Sequence, residues 1–151
     1  MKKSLFLFCI LFSSITLWAQ KVTEKDLQGN WKLVTYEVNG AILDVESGKV
    51  TLTQNDSPLM ASMGNKLKSD MESYAQGLRM SILEITGNNF YQVIIDNARN
   101  GEFSISEKND VQVINVKFDN GKSDEIPFKI TDGKLYFFNF QSPKKYIYIK
   151  L

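Results

Sequence analysis

The sequence predicts a mainly-β fold, an antiparallel up-and-down barrel of about eight or nine strands with one inserted amphipathic helix. Three observations carry this. Short runs of alternating apolar and polar residues recur from Met80 to Leu151, each separated from the next by turn residues. The stretch from Ser57 to Leu78 instead spaces its apolar residues by three and four. A Gly-x-Trp, Gly29-Asn30-Trp31, stands at the start of the first strand, in a chain whose length suits one core.

The chain begins with a segment of another kind. Lys2 and Lys3 are followed by an almost wholly apolar run from Leu5 to Leu11, then a largely apolar one from Ile15 to Trp18. Ala19 offers a small residue for cleavage. This order is that of a secretory signal peptide. The expectation is that residues 1–19 are removed and that residues 20–151 form the barrel, in the periplasm or outside the cell. Ser13, Ser14 and Thr16 interrupt the apolar run, and a membrane helix needs about 20 apolar residues, so no membrane span is expected after cleavage. Cys9, the only cysteine, lies inside the apolar run and not behind it, which gives no lipid-anchoring signal. The exported chain then has no disulfide, and packing must stabilise it.

The elements follow in order. Gly29 and Trp31 open one strand, and residues 49–53 suit another. The helix has Leu59, Met60, Met63, Leu67, Met71, Tyr74, Ala75 and Leu78 on its apolar side. Ser57 can cap it, and Pro58 suits its first position, where a missing N–H costs nothing. Gly77 lies where the helix can stop. This helix is either packing for the barrel or a lid over its mouth. Met60, Met63 and Met71 suit the lid, because thioether chains adapt to varied shapes. Strands are then predicted at 80–86, 90–95, 102–106, 111–118, 126–131, 134–140 and 145–151. Breaks fall at 96–101 and 119–125, and Asp132-Gly133 forms a tight hairpin turn. Closing the sheet into a barrel removes its exposed edges. Both faces of 134–140 are aromatic, so the helix is expected to cover the outer one.

The Gly29-Asn30-Trp31 motif, followed by a strand meander that runs to the last residue, resembles the opening of lipocalins and their bacterial lipocalin-like relatives. The resemblance implies a barrel in which Trp31 plugs the narrow end, its indole N–H seeking a partner. It also implies a cation stacked on that tryptophan. Lipocalins use an arginine on or after the last strand. Here the last strand offers only Lys145 and Lys150, which lack the flat guanidinium.

An eight-stranded barrel is either filled by its own side chains or holds one small ligand. Strand parity selects a candidate lining of Trp31, Leu33, Thr35, Phe103, Ile105, Phe128, Ile130, Phe137 and Asn139. Thr35 and Asn139 would supply polar tips to an otherwise apolar pocket. The expected partner is a small hydrophobic or lipid-like ligand. The rival is a packed barrel that binds or inhibits another protein through loops 96–101 and 119–125.

Other classes fare worse. Removing Lys2 and Lys3 from 18 basic residues leaves 16 against 17 acidic ones, a balance with no electrostatic grip on nucleic acid. With no histidine, and no cysteine after cleavage, a Ser-His-Asp triad and thiol chemistry are excluded. Glu84, Asp96, Glu102, Asp119, Asp124 and Glu125 fall mostly at strand ends or turns and read as solvated charges. Residues 119–125 lack the ligand spacing of a calcium loop. No catalysis, cofactor or metal is expected.

Overall fold

A computed structural model describes residues 21–53, 58–139 and 142–151, and of residues 58–63 the backbone alone. The expected signal segment 1–19, the expected Ser57 cap, the side chains of Met60 and Met63, and Phe140 lie outside the described residues.

The chain forms α1 (Glu24–Leu27), β1 (Gly29–Val38), β2 (Ala41–Asp44), β3 (Val50–Leu52), α2 (Pro58–Arg79), β4 (Ile82–Thr86), β5 (Asn89–Ile94), β6 (Asn97–Lys108), β7 (Val111–Phe118), β8 (Ser123–Thr131), β9 (Lys134–Phe138) and β10 (Lys145–Lys150). Strands β4 to β10 pair antiparallel, each with the next. β10 also pairs with β1, and the first half of β1 pairs with β4. Eight strands therefore close a barrel. The second half of β1 pairs with β2, and β2 with β3, so these two strands flare off the barrel wall.

Turn chemistry explains the meander. Asn39-Gly40, Asn109-Asp110 and Asp132-Gly133 all have positive φ at both residues, at 48° and 77°, 51° and 60°, and 52° and 71°. That conformation matches the twist of the flanking strands, and Asn, Asp and Gly reach it at low cost.

Four local expectations need correction. β2 was not anticipated, because four residues are too few for alternation to show. The expected break at 96–101 is mostly strand: β6 begins at Asn97, and Asn97 to Glu102 all find partners on β5. Backbone pairing there overrides a polar composition. The expected loop at 119–125 ends at Lys122, since β8 starts at Ser123. Gly77 does not stop α2, which runs on to Arg79. Instead it gives room to Ile95, whose Cγ2 would lie 2.9 Å from a Cβ at that position.

Helix α2 starts at Pro58, as expected, and packs against β1, β2 and β3. Met71, Ala75 and Leu78 are buried there in one core with Ala41, Leu43, Val45 and Val50. The helix therefore covers the flared hairpin and not the outer face of β9. The flare lies outside the barrel, so one of its faces needs an apolar cover, and α2 is the next segment of chain. On β9, Tyr136 is half-buried beneath Lys129, whose Nζ lies 5.1 Å from the ring centroid. Among the described residues no helix is long and apolar enough to cross a membrane.

Candidate functional site

One end of the barrel is shut. Trp31 is 2% exposed, and its Nε1–H donates to the Leu27 carbonyl at 2.8 Å. Leu27 itself is fully buried on α1. Before α1 the chain is strapped to β7: Val22 N–H donates to Gln112 Oε1 and Gln112 Nε2 to the Val22 carbonyl, both at 2.8 Å. Lys150 pairs with Trp31 across the ladder, and its Nζ lies 5.4 Å from the indole centroid, within cation–π range. Gly29 has φ +118°, and a Cβ there would meet Lys150 Cε at 3.0 Å. The glycine thus clears the path by which the lysine reaches the tryptophan.

The middle is lined by buried side chains. Leu33, Leu83, Ile85, Phe90, Phe128 and Leu135 are essentially unexposed. Phe137 stacks on Phe90 at 6.4 Å and meets Tyr148 edge-on at 5.4 Å.

At the opposite end a cavity of about 170 Å³ remains. Ile94, Ile126, Phe137, Phe138 and Tyr146 form its apolar wall, with Gln92, Arg99, Asp124, Asn139 and Lys144 among its polar lining. A polar chain runs outward from its floor. Gln92 is 2% exposed and donates from Nε2 to Tyr148 Oη at 3.0 Å. Arg99, opposite Gln92 on β6, donates from Nη2 to Gln92 Oε1. Its Nη1 reaches Asp124 Oδ2 at 3.4 Å, and the guanidinium carbon lies 5.1 Å from the Phe118 centroid.

Three tyrosines surround this chain, all held neutral. Burial pushes the Tyr148 phenol well up, opposed by its bond to Gln92. Burial also raises Tyr146, and the Arg99 charge works against that rise. Burial, then the neighbouring Tyr146 and Tyr74, pushes Tyr36 up to about 12. The rings of Tyr36 and Tyr146 lie 5.1 Å apart. Among the described residues, nothing hydrogen-bonds the Tyr146 hydroxyl.

The sequence-derived lining divides between the ends. Phe137 and Asn139 do line the cavity. Trp31, Leu33, Phe103 and Phe128 are buried in the core, and Ile105 and Ile130 pack against it. Ile130 and Trp31, with Lys150, line a separate open hollow of about 360 Å³ on the outside of the shut end. Thr35 has the wrong parity: the register shifts between Leu33 and Thr35, so Tyr36 faces Tyr146 while Thr35 pairs with the outward-facing Ile147. A bulge adds one residue and reverses the alternation beyond it. Met71 is 2% exposed and packs α2 onto the flare.

Sequence reasoning missed Gln92, Arg99, Tyr146 and Tyr148. Arg99 was hidden by the expected break at 96–101. Carrying the alternation of Phe103 back through Gly101 would have put Arg99 on the inner face.

A broader, open hollow of about 640 Å³ lies on the outer wall over β6, β7 and β8, beside Glu102, Ser104, Asn115 and Lys117. Among the described residues, no group of three or more His, Cys, Asp or Glu side chains could hold a metal ion. Comparison of the chain with protein-family models, curated proteins and solved structures finds no match.

Proposed function

We propose that the chain is an exported, lipocalin-like barrel that binds a small, largely apolar molecule non-catalytically at its open end. One observation supports this most: buried side chains occupy the barrel from Trp31 through Phe137, and beyond them lies a cavity lined about equally by apolar and polar side chains over a buried polar floor. Convergent polar groups beside an apolar wall can fix and orient a small molecule. The volume limits the ligand. Pockets that enclose drug-sized molecules run to about 300–1,000 Å³. An engineered apolar cavity of about 150 Å³ holds benzene. A compact molecule therefore fits whole, and a lipid-like one would insert one end only. Apolar burial, at about 25 cal/mol per Å², would drive binding.

The outer hollow over β6 to β8 favours a second reading, a packed barrel that docks another protein on that wall. Native mass spectrometry of the protein purified from the envelope of its own host separates the two. Added metabolite-sized mass, lost on mild activation, supports the pocket. A bare chain mass that persists after incubation with a host lipid and metabolite extract supports protein docking.

A further inference from the structure

Resting on the reading of the open end as a binding pocket, we infer that its ligand is a compact oxyanion on an apolar, ring-sized body, held by Arg99 and Tyr146.

Arg99 has donor capacity to spare. A guanidinium has five N–H donors. Gln92 takes one at close range, and the Asp124 contact at 3.4 Å is long for a charged pair, which closes to about 2.7–2.9 Å when well made. Arg99 is therefore anchored on one side and loosely held on the other. Phe118 under the guanidinium and Gln92 beside it fix its plane, so its donors are aimed before any ligand arrives. Tyr146, which lines the same cavity as Arg99, adds a neutral O–H with no partner among the described residues. A carboxylate or sulfonate accepts from both, whereas a neutral head group forfeits the charge assistance.

Asp124 sets the selectivity. Its side chain is 48% exposed, so it can turn to water when a ligand oxyanion takes its place at Arg99. Lys144 on the lining adds positive charge, and the charge of Glu125, which also lines the cavity, is already met by Lys108. The body then lies against Ile94, Ile126 and Phe138. A cavity of about 170 Å³ accepts one ring and leaves no room for a long chain.

Calorimetric titration of the purified protein with benzoate and with benzamide, its neutral counterpart, tests this. Benzoate should bind about tenfold more tightly or better. Tyr146→Phe, which keeps the ring, should weaken benzoate about tenfold and benzamide distinctly less, since only the bond to the oxyanion is charge-assisted. Asp124→Asn, which removes the competing carboxylate, should strengthen benzoate. Equal affinity for the two probes overturns the oxyanion assignment and leaves the pocket standing. A preference for benzoate that neither variant alters overturns the assignment to these residues. Failure of both probes to bind overturns the pocket as well.

Discussion

The two ends of the barrel use polar atoms in opposite ways. At the shut end the protein supplies its own partners: the Leu27 carbonyl for the indole N–H, Gln112 for the Val22 backbone, and the indole face for the Lys150 charge. At the open end a buried Gln92 leads through Arg99 to a half-exposed Asp124, and the Tyr146 hydroxyl has no partner among the described residues. A satisfied network stabilises a fold, whereas leftover hydrogen-bonding capacity beside an apolar wall is suited to a ligand. On the proposed reading, the same barrel separates stability from binding along its axis.

The largest test of that division is Trp31→Ala. It should cost about 3–5 kcal/mol in chemical denaturation, because it opens a cavity in the plug. A loss below about 1 kcal/mol would show that the shut end does not anchor the fold.

Gln92→Leu comes next. It strands the buried Tyr148 hydroxyl and should cost about 1–3 kcal/mol. Adding Tyr148→Phe should recover much of the loss, since both polar partners are then gone. No recovery would mean that the polar floor stabilises the fold through some other contact.

Gly29→Ala should cost about 1–2 kcal/mol, from a side chain forced to φ +118° and pressed on Lys150. A neutral result in the same denaturation assay would contradict the clearance role of the glycine.

A gentler effect is expected with pH. The folded chain holds the Tyr36 proton up to about 12, against an ordinary value of 10.0. Folding therefore favours the neutral phenol. That contribution is fully present below pH 10 and is lost as pH rises from 10 towards 12. Denaturation midpoints measured across this window should fall as tyrosinate absorbance rises. A flat stability curve would mean that the open-end tyrosines ionise without cost.

Smallest of all is Tyr146→Phe, which should change stability by less than about 0.5 kcal/mol while weakening an oxyanion ligand. A large stability loss would place that hydroxyl among the structural bonds and erase the contrast between the ends.

The shut end was more legible in sequence than the open one. Gly29 and Trp31 stand two apart in a local motif, and Asp132-Gly133 writes its turn in two residues. The barrel itself followed from period-two alternation, which is local too. The open end needs facts that alternation alone does not carry. One bulge between Leu33 and Thr35 exchanges Thr35 for Tyr36 on the inner face. The paired stretch from Asn97 to Gly101 is polar enough to read as a loop, so Arg99 stayed hidden. Gln92, Arg99 and Tyr148 come from three strands, and only closure of the barrel brings Tyr148 to Gln92. The position of α2 was missed for a similar reason, because the surface it covers exists only once β2 and β3 leave the wall.

The most direct test maps amide chemical-shift changes by NMR as benzoate is titrated into the protein. The largest changes should cluster at Ile94, Arg99, Ile126, Phe138 and Asn139, with Leu27, Trp31 and Ile130 unmoved. Changes centred on the shut end, or on Glu102, Ser104 and Lys117 of the outer wall, would contradict the assignment of binding to the open end.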